Sequence, residues 1–448
     1  MQIYLLLLIL IMILYIAFLA MDKDIISPAF LFTAPFCVAV IFAALYRKKW
    51  DLNIHLNTML VLLLGCFLFV LTCFIVHYTV GKNIRKRIRN GMIESVYESS
   101  NTVVPIKIEA WKIVLFIVIQ LISVYIVSMD MRRVVGKYGI SGDFTNIMYY
   151  FREYHMHSDY DVALSSIASN LRLFSIAGCY IWIYVLLNNF LCKKHKSNSI
   201  LLIVSIVLGV INSIVLGARG EAIQLFVAVV VLYFFLQKKY NHWKAKVNFK
   251  QIFLITIMIG SIIFAFKFSG ELLGRNTSTI SAVDEVAKYF GAEIKNLDIY
   301  LEGHVKGTQI SGSQTFGVIL GWIDNKLGLD WNIETVLPFN KVNGISLGNV
   351  YTIFYPLIYD FGYLGIFILI PIIACFSQLL YEYALLEKSN KLINLRIIVN
   401  SYVLFLVVFS FFGERFFSYI LNISFIKYIL IWSIMIWFNT KLRVKIKA

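Results

Sequence analysis

Two short turns hold the residue types best suited to chemistry. Gly217-Ala218-Arg219-Gly220-Glu221 and Gly413-Glu414-Arg415 each separate two long apolar runs, and each sets a guanidinium beside a carboxylate. An ionisable group so close to hydrocarbon is costly and is ordinarily kept for a partner or a substrate. In the first turn the glycines let the backbone reverse while Arg219 and Glu221 stay at the interface. The bland alternative is a local Arg219–Glu221 pair that closes a helical hairpin. Arg172 lies about one turn inside the run that starts near residue 168, and Arg275 lies just beyond the run that ends near 268.

Guanidinium is permanently charged and binds oxyanions in a bidentate fork, so Arg172, Arg219, Arg275 and Arg415 as a set suit phosphate oxygens. A lipid diphosphate is the obvious anion at a membrane surface. Taken singly, each arginine is as well explained by snorkelling toward head groups. His304, in Leu301-Glu302-Gly303-His304, is a candidate acid or base, set against the ordinary solvated histidine of a loop. His155, His157, Asp159 and Asp161 follow no known ligand spacing, and no metal site is expected there. The six cysteines form no CxxC pair and read as small core residues.

These residues must be positioned by helices. Of the 448 residues 60% are apolar and only 15% charged, and the apolar residues come in long uninterrupted runs, which excludes an ordinary soluble domain. Runs of about twenty apolar residues satisfy their own backbone as helices in lipid. They fall near 2–20, 28–46, 57–79, 111–129, 168–191, 199–216, 222–236, 251–268, 362–386, 395–412 and 419–438. The fold expected is all-α: one polytopic membrane bundle over 1–448, with roughly eleven or twelve spans, the count depending on a half-spanning element near 348–359.

The net charge of +16 sits in short segments between runs, among them Lys193 to Lys196, Lys238-Lys239 with Lys244 and Lys246, and the tail from Lys441. By the positive-inside rule this marks a cytoplasmic C-terminus and gives no reason to expect a nucleic-acid partner. Counting back puts 81–110, 192–198, 237–250 and 387–394 inside, with 130–167 and a long segment, 269–347, outside. Arg47-Lys48-Lys49 then falls outside, against the rule. The long segment should hold a short amphipathic helix, since Ser281 with Asp284 forms a capping-box pattern and Val283, Ala287, Phe290, Ile294 and Leu297 recur at helical spacing.

The stretch Gly348-Asn349-Val350-Tyr351-Thr352-Ile353-Phe354-Tyr355-Pro356, continuing through Tyr359-Asp360-Phe361-Gly362-Tyr363-Leu364-Gly365, resembles a signature of the Wzy-type polymerases of O-antigen and capsule repeat units. The turn at Arg219 and the long outer segment fit the same pattern, so the resemblance spans roughly residues 200–385. It implies an enzyme of the bacterial inner membrane that moves a growing glycan from undecaprenyl diphosphate onto a lipid-linked repeat unit at the periplasmic face. It needs no cofactor and works beside a flippase and a chain-length regulator. On that resemblance Arg219, Arg275 and Arg415, with Arg172 in reserve, hold the diphosphates. Glu221 or Glu414 is the base, with Asp360 and His304 as rivals. Asp360 has the alternative of capping the helix that follows it. A lipid-linked oligosaccharide flippase or an O-antigen ligase would share most of these features.

Overall fold

The protein was examined as a computed structural model that describes residues 1–83, 104–155, 162–192, 198–241, 282–303, 310–331, 333, 337–385 and 392–441. It is an all-α polytopic bundle. Every apolar run outside 251–268 lies on a helix, and 251–268 falls outside the described residues. Among the described residues, eight helices are long and apolar enough to cross a membrane, and Ser199–Ile214 and Leu395–Phe411 are shorter apolar helices. The chain divides into two compact units: 1–95, 280–386 and 403–425, and 96–279, 387–402 and 426–448.

The first unit contains α1 (Gln2–Ala20), α2 (Pro28–Leu45) and α3 (Leu56–Val76). Start signals are legible at α2, where the Ser27 hydroxyl accepts from the Phe30 amide and Pro28 occupies the first turn. The second unit opens with α4 (Ala110–Gly136), α5 (Phe144–His155), α6 (Ser166–Cys192), α7 (Ser199–Ile214) and α8 (Gly220–Tyr240). The first unit resumes with α9 (Ala282–Glu302), α10 (Gly317–Leu327) and a hairpin of β1 (Asn340–Val342) and β2 (Ile345–Gly348). It continues through α11 (Phe354–Phe361) and α12 (Tyr363–Leu385). Then α13 (Leu395–Val408), α14 (Phe416–Ile420) and α15 (Ile423–Lys441) complete the chain, with α13 and α15 shared between the units.

In the first unit α3 and α12 run parallel, because His77 meets Glu382, Cys73 meets the Ala374 carbonyl, and Gly65 lies against the Phe354 ring at the head of α11. The short α11 therefore enters beside the middle of α3 and turns at Gly362 into α12. Gly362 has φ 60° and ψ −161°, a region that only glycine occupies without strain. Gly365 is equally constrained, since a Cβ there would lie 2.3 Å from the Leu357 carbonyl oxygen. At the opposite end His77, on a π turn that closes α3, reaches Glu382 at 2.5 Å and Asp22 at 3.4 Å. The Tyr381 hydroxyl donates to Asp24 there.

The expected amphipathic helix exists, but it runs 21 residues and is built into the unit. Tyr46 and Lys49, both at 2.7 Å, hold its Asp284. Gly291 packs on Phe42 and Ala43, Lys295 reaches the Asp51 carbonyl, and Asp298 receives His55 and Thr58. In order, α9 thus touches the last turn of α2, the connection and the first turn of α3, so it crosses this end of the unit. Ala287, Ile294 and Leu297 are buried as the spacing implied, while Val283 is exposed. The glycine-rich remainder of the long segment includes α10 and the hairpin. Asn343 and Gly344 both take positive φ in the hairpin turn.

The second unit is tied by polar groups in an apolar setting. Gln120 on α4 exchanges two hydrogen bonds with Ser205 on α7, at 2.9 and 2.8 Å, and Ser123 donates to Asn212 at 2.7 Å. Such bonds hold spanning helices at fixed register. Tyr180, Tyr402, Tyr428 and Trp432 pack ring against ring, and the Trp432 indole donates to the Ala177 carbonyl.

Candidate active site

In the second unit the charged turn is assembled from three helices. Gly217, with φ 75°, turns against Met148 and Arg152 of α5, and Arg219 follows as the N-cap residue of α8, 7% exposed. Glu221 pairs with Arg172 of α6. Arg172 also donates to the carbonyls of Asn212 and Ser213, at 3.0 and 3.3 Å, where α7 ends. Cations stabilise a helix C-terminus, so one guanidinium closes α7 and neutralises the carboxylate that opens α8. The structure thus brings Arg172, Arg219 and Glu221 to one end of this unit. Arg275 lies outside the described residues.

In the first unit Glu414, Arg415 and Asp360 sit at the end that α9 crosses. Phe290 and Tyr289 of α9 stack on Phe411 and Phe412, directly before Gly413, and Tyr300 packs on Tyr355 of α11 at 4.5 Å. The Glu414 carboxylate accepts from the amides of Phe417 and Ser418, at 2.6 and 3.2 Å, and from the Ser418 hydroxyl at 2.6 Å. It therefore caps α14. Burial pushes its carboxyl upward, opposed by these hydrogen bonds and by the adjacent Arg415 charge. The Arg415 guanidinium lies 6.0 Å from the Tyr419 ring centroid. Asp360 does not cap the helix after it. It accepts from the amides of Gln314 and Thr315, the latter at 2.6 Å, and so straps residues 313–315 onto α11. His304 lies outside the described residues.

Two groups on α9 escape a reading of the sequence. Glu293 is wholly buried, and neither carboxylate oxygen has a hydrogen-bond partner among the described residues. Burial drives its carboxyl well above the ordinary range. Asp298, also wholly buried, accepts from the His55 amide at 2.9 Å and the Thr58 hydroxyl at 2.7 Å, and its other oxygen lies 3.2 Å from His55 Nδ1. His55 Nε2 lies 3.4 Å from Glu302. Because 243 residues separate Asp298 from His55, no local pattern announces the pair.

Trp322 is 55% exposed on α10, and Trp331 is partly covered. Among the described residues, no group of three or more His, Cys, Asp or Glu side chains could hold a metal ion. Compared with known proteins, the chain matches no family model, no curated protein and no solved structure.

Proposed function

We propose that the chain is a glycosyltransferase of the bacterial inner membrane, of the Wzy type, that polymerises oligosaccharide repeat units carried on undecaprenyl diphosphate. Its reacting face is the periplasmic one and its C-terminus is cytoplasmic. One observation carries the reading over a carrier or exporter. Along every spanning helix among the described residues, the charged side chains stand near the ends: Lys112, Asp130, Arg132 and Arg133 on α4, Arg172 on α6, Glu221 and Lys238-Lys239 on α8, Glu382 on α12 and Lys427 on α15. A translocation path for an anionic lipid would need charge at mid-membrane. Chemistry at the surface needs charge at helix ends.

Support also comes from residue types. Glycosyl transfer from a lipid diphosphate requires cations for the leaving group, a base for the acceptor hydroxyl and a surface that holds two amphipathic substrates. Arg219 and Arg415 are cations of the required kind, and α9 offers a helix laid across a bundle end. The polymerase assignment itself rests on the resemblance of residues 348–365.

The test is reconstitution. Purified protein in detergent receives a synthetic undecaprenyl-diphosphate repeat unit matched to the source strain, without nucleotide sugar, and products are resolved as a glycan ladder. A ladder from wild type that is lost in Arg219→Ala at equal protein level supports both the activity and the arginine. A ladder from both keeps the activity and removes Arg219 from it. No ladder with a validated substrate, joined by transfer of that lipid across vesicles, makes the chain a flippase. Transfer only to a lipid A core acceptor makes it a ligase.

A further inference from the structure

We propose that His55 is the general base that takes the proton of the acceptor sugar hydroxyl, and that Asp298 is its positioning residue. This rests on the glycosyltransferase reading above. The imidazole stands before the first turn of α3, at the end of the first unit that also carries Arg415. Its side chain is 45% exposed while the Asp298 carboxylate is 0% exposed. A buried carboxylate that orients one ring nitrogen of a half-exposed imidazole is how a protein builds a base. With the proton on Nδ1 donated to Asp298, the lone pair of Nε2 is left for the incoming hydroxyl.

A purely structural role explains less of this geometry. The tie between α3 and α9 is already made by the His55 backbone amide and the Thr58 hydroxyl, both on Asp298 Oδ1. The ring adds little to it, yet the second Asp298 oxygen is spent on orienting that ring. Glu302, 59% exposed and 3.4 Å from Nε2, is the group an incoming sugar hydroxyl would displace at that nitrogen, and its charge would steady the imidazolium afterwards. In the step itself the acceptor oxygen bonds to the anomeric carbon. The bond from that carbon to the diphosphate oxygen breaks, its electron pair leaves on undecaprenyl diphosphate, and the hydroxyl proton passes to His55 Nε2.

The test uses the full-length protein in the ladder assay, with initial rates measured against donor concentration. His55→Ala should lower kcat by roughly 100-fold or more, leave the donor KM within about twofold, and regain part of the rate on addition of free imidazole. Asp298→Asn keeps the acceptors for the His55 amide and the Thr58 hydroxyl but reverses the ring tautomer. It should lower kcat by roughly 100-fold with unchanged size-exclusion behaviour. His55→Gln serves as a second variant should the alanine protein fail to fold. A wild-type ladder with His55→Ala or His55→Gln at near wild-type kcat overturns the base while leaving the polymerase standing. Loss of activity without imidazole rescue and with KM moved in step assigns the ring to structure and also overturns it. If wild type itself makes no ladder, the glycosyltransferase reading fails first and the base goes with it.

Discussion

At the scale of single residues, several charged groups of the two turns hold the fold. Arg172 and Glu221 do so, since their side chains are 12% and 29% exposed and three helices meet at them. Removing one partner of a largely buried pair strands the other charge, so Arg172→Ala or Glu221→Ala should each cost about 3 kcal/mol. The double variant should cost less than their sum, which thermal unfolding in detergent would read as a double-mutant cycle. Strictly additive losses would mean the pair is idle. Glu414 is also spent, with its carboxylate on two amides and a hydroxyl of α14. Glu414→Ala should destabilise by about 1 kcal/mol, whereas Glu414→Gln, which keeps an acceptor, should retain polymerising activity within about threefold; a base would lose roughly 100-fold on that change. That these residues matter was legible from charge beside hydrocarbon. Their partners were not, because Arg172 finds Glu221 across 49 residues and Asp360 finds Thr315 across 45.

At the scale of elements, the glycines of Asp360-Phe361-Gly362-Tyr363-Leu364-Gly365 have an architectural explanation that needs no ligand. They let α11 stop short and α12 start in close contact with it. Gly365→Ala places a methyl 2.3 Å from a backbone carbonyl, which only helix displacement relieves. It should lower stability by about 3 kcal/mol, and Gly362→Ala by about 1–3 kcal/mol for its backbone region. Unfolding midpoints of the two proteins check both, and a wild-type midpoint in Gly365→Ala would refute the close approach. Long apolar runs told their elements plainly, as did the spacing of Ala287, Ile294 and Leu297. The hairpin was also legible, since Asn343-Gly344 between Val342 and Ile345 is the strongest short signal for a two-residue turn, but glycine density there reads first as loop. What spacing could not give was the extent of α9. Its exposed start at Val283 and its buried Glu293, Asn296 and Asp298 blur the apolar stripe, because this helix faces protein on more than one side.

At the scale of the whole molecule, hydropathy gave the bundle directly, while the division into two units and the helix laid across one of them depend on packing that no run of sequence reports. Buried Glu293 then makes global stability depend on pH with a definite sign. Its folded-state carboxyl is raised well above the ordinary value of 4.5 by burial, which outweighs the opposing pull of its own backbone amide. A group whose pKa is raised on folding binds its proton more tightly in the folded state. The stability it contributes is complete below pH 4.5 and is lost as pH rises toward the folded-state pKa, by about 1.4 kcal/mol per pH unit in that window. Glu414 is shifted in the same direction and adds to the slope. The unfolding midpoint of wild type in detergent should therefore fall steadily from about pH 5 upward. Glu293→Gln, close in shape and never charged, should flatten that fall and leave the protein more stable than wild type at the alkaline end. Parallel curves for the two proteins would mean that Glu293 reaches water or a cation on folding, and the burial of its carboxylate would have to be abandoned.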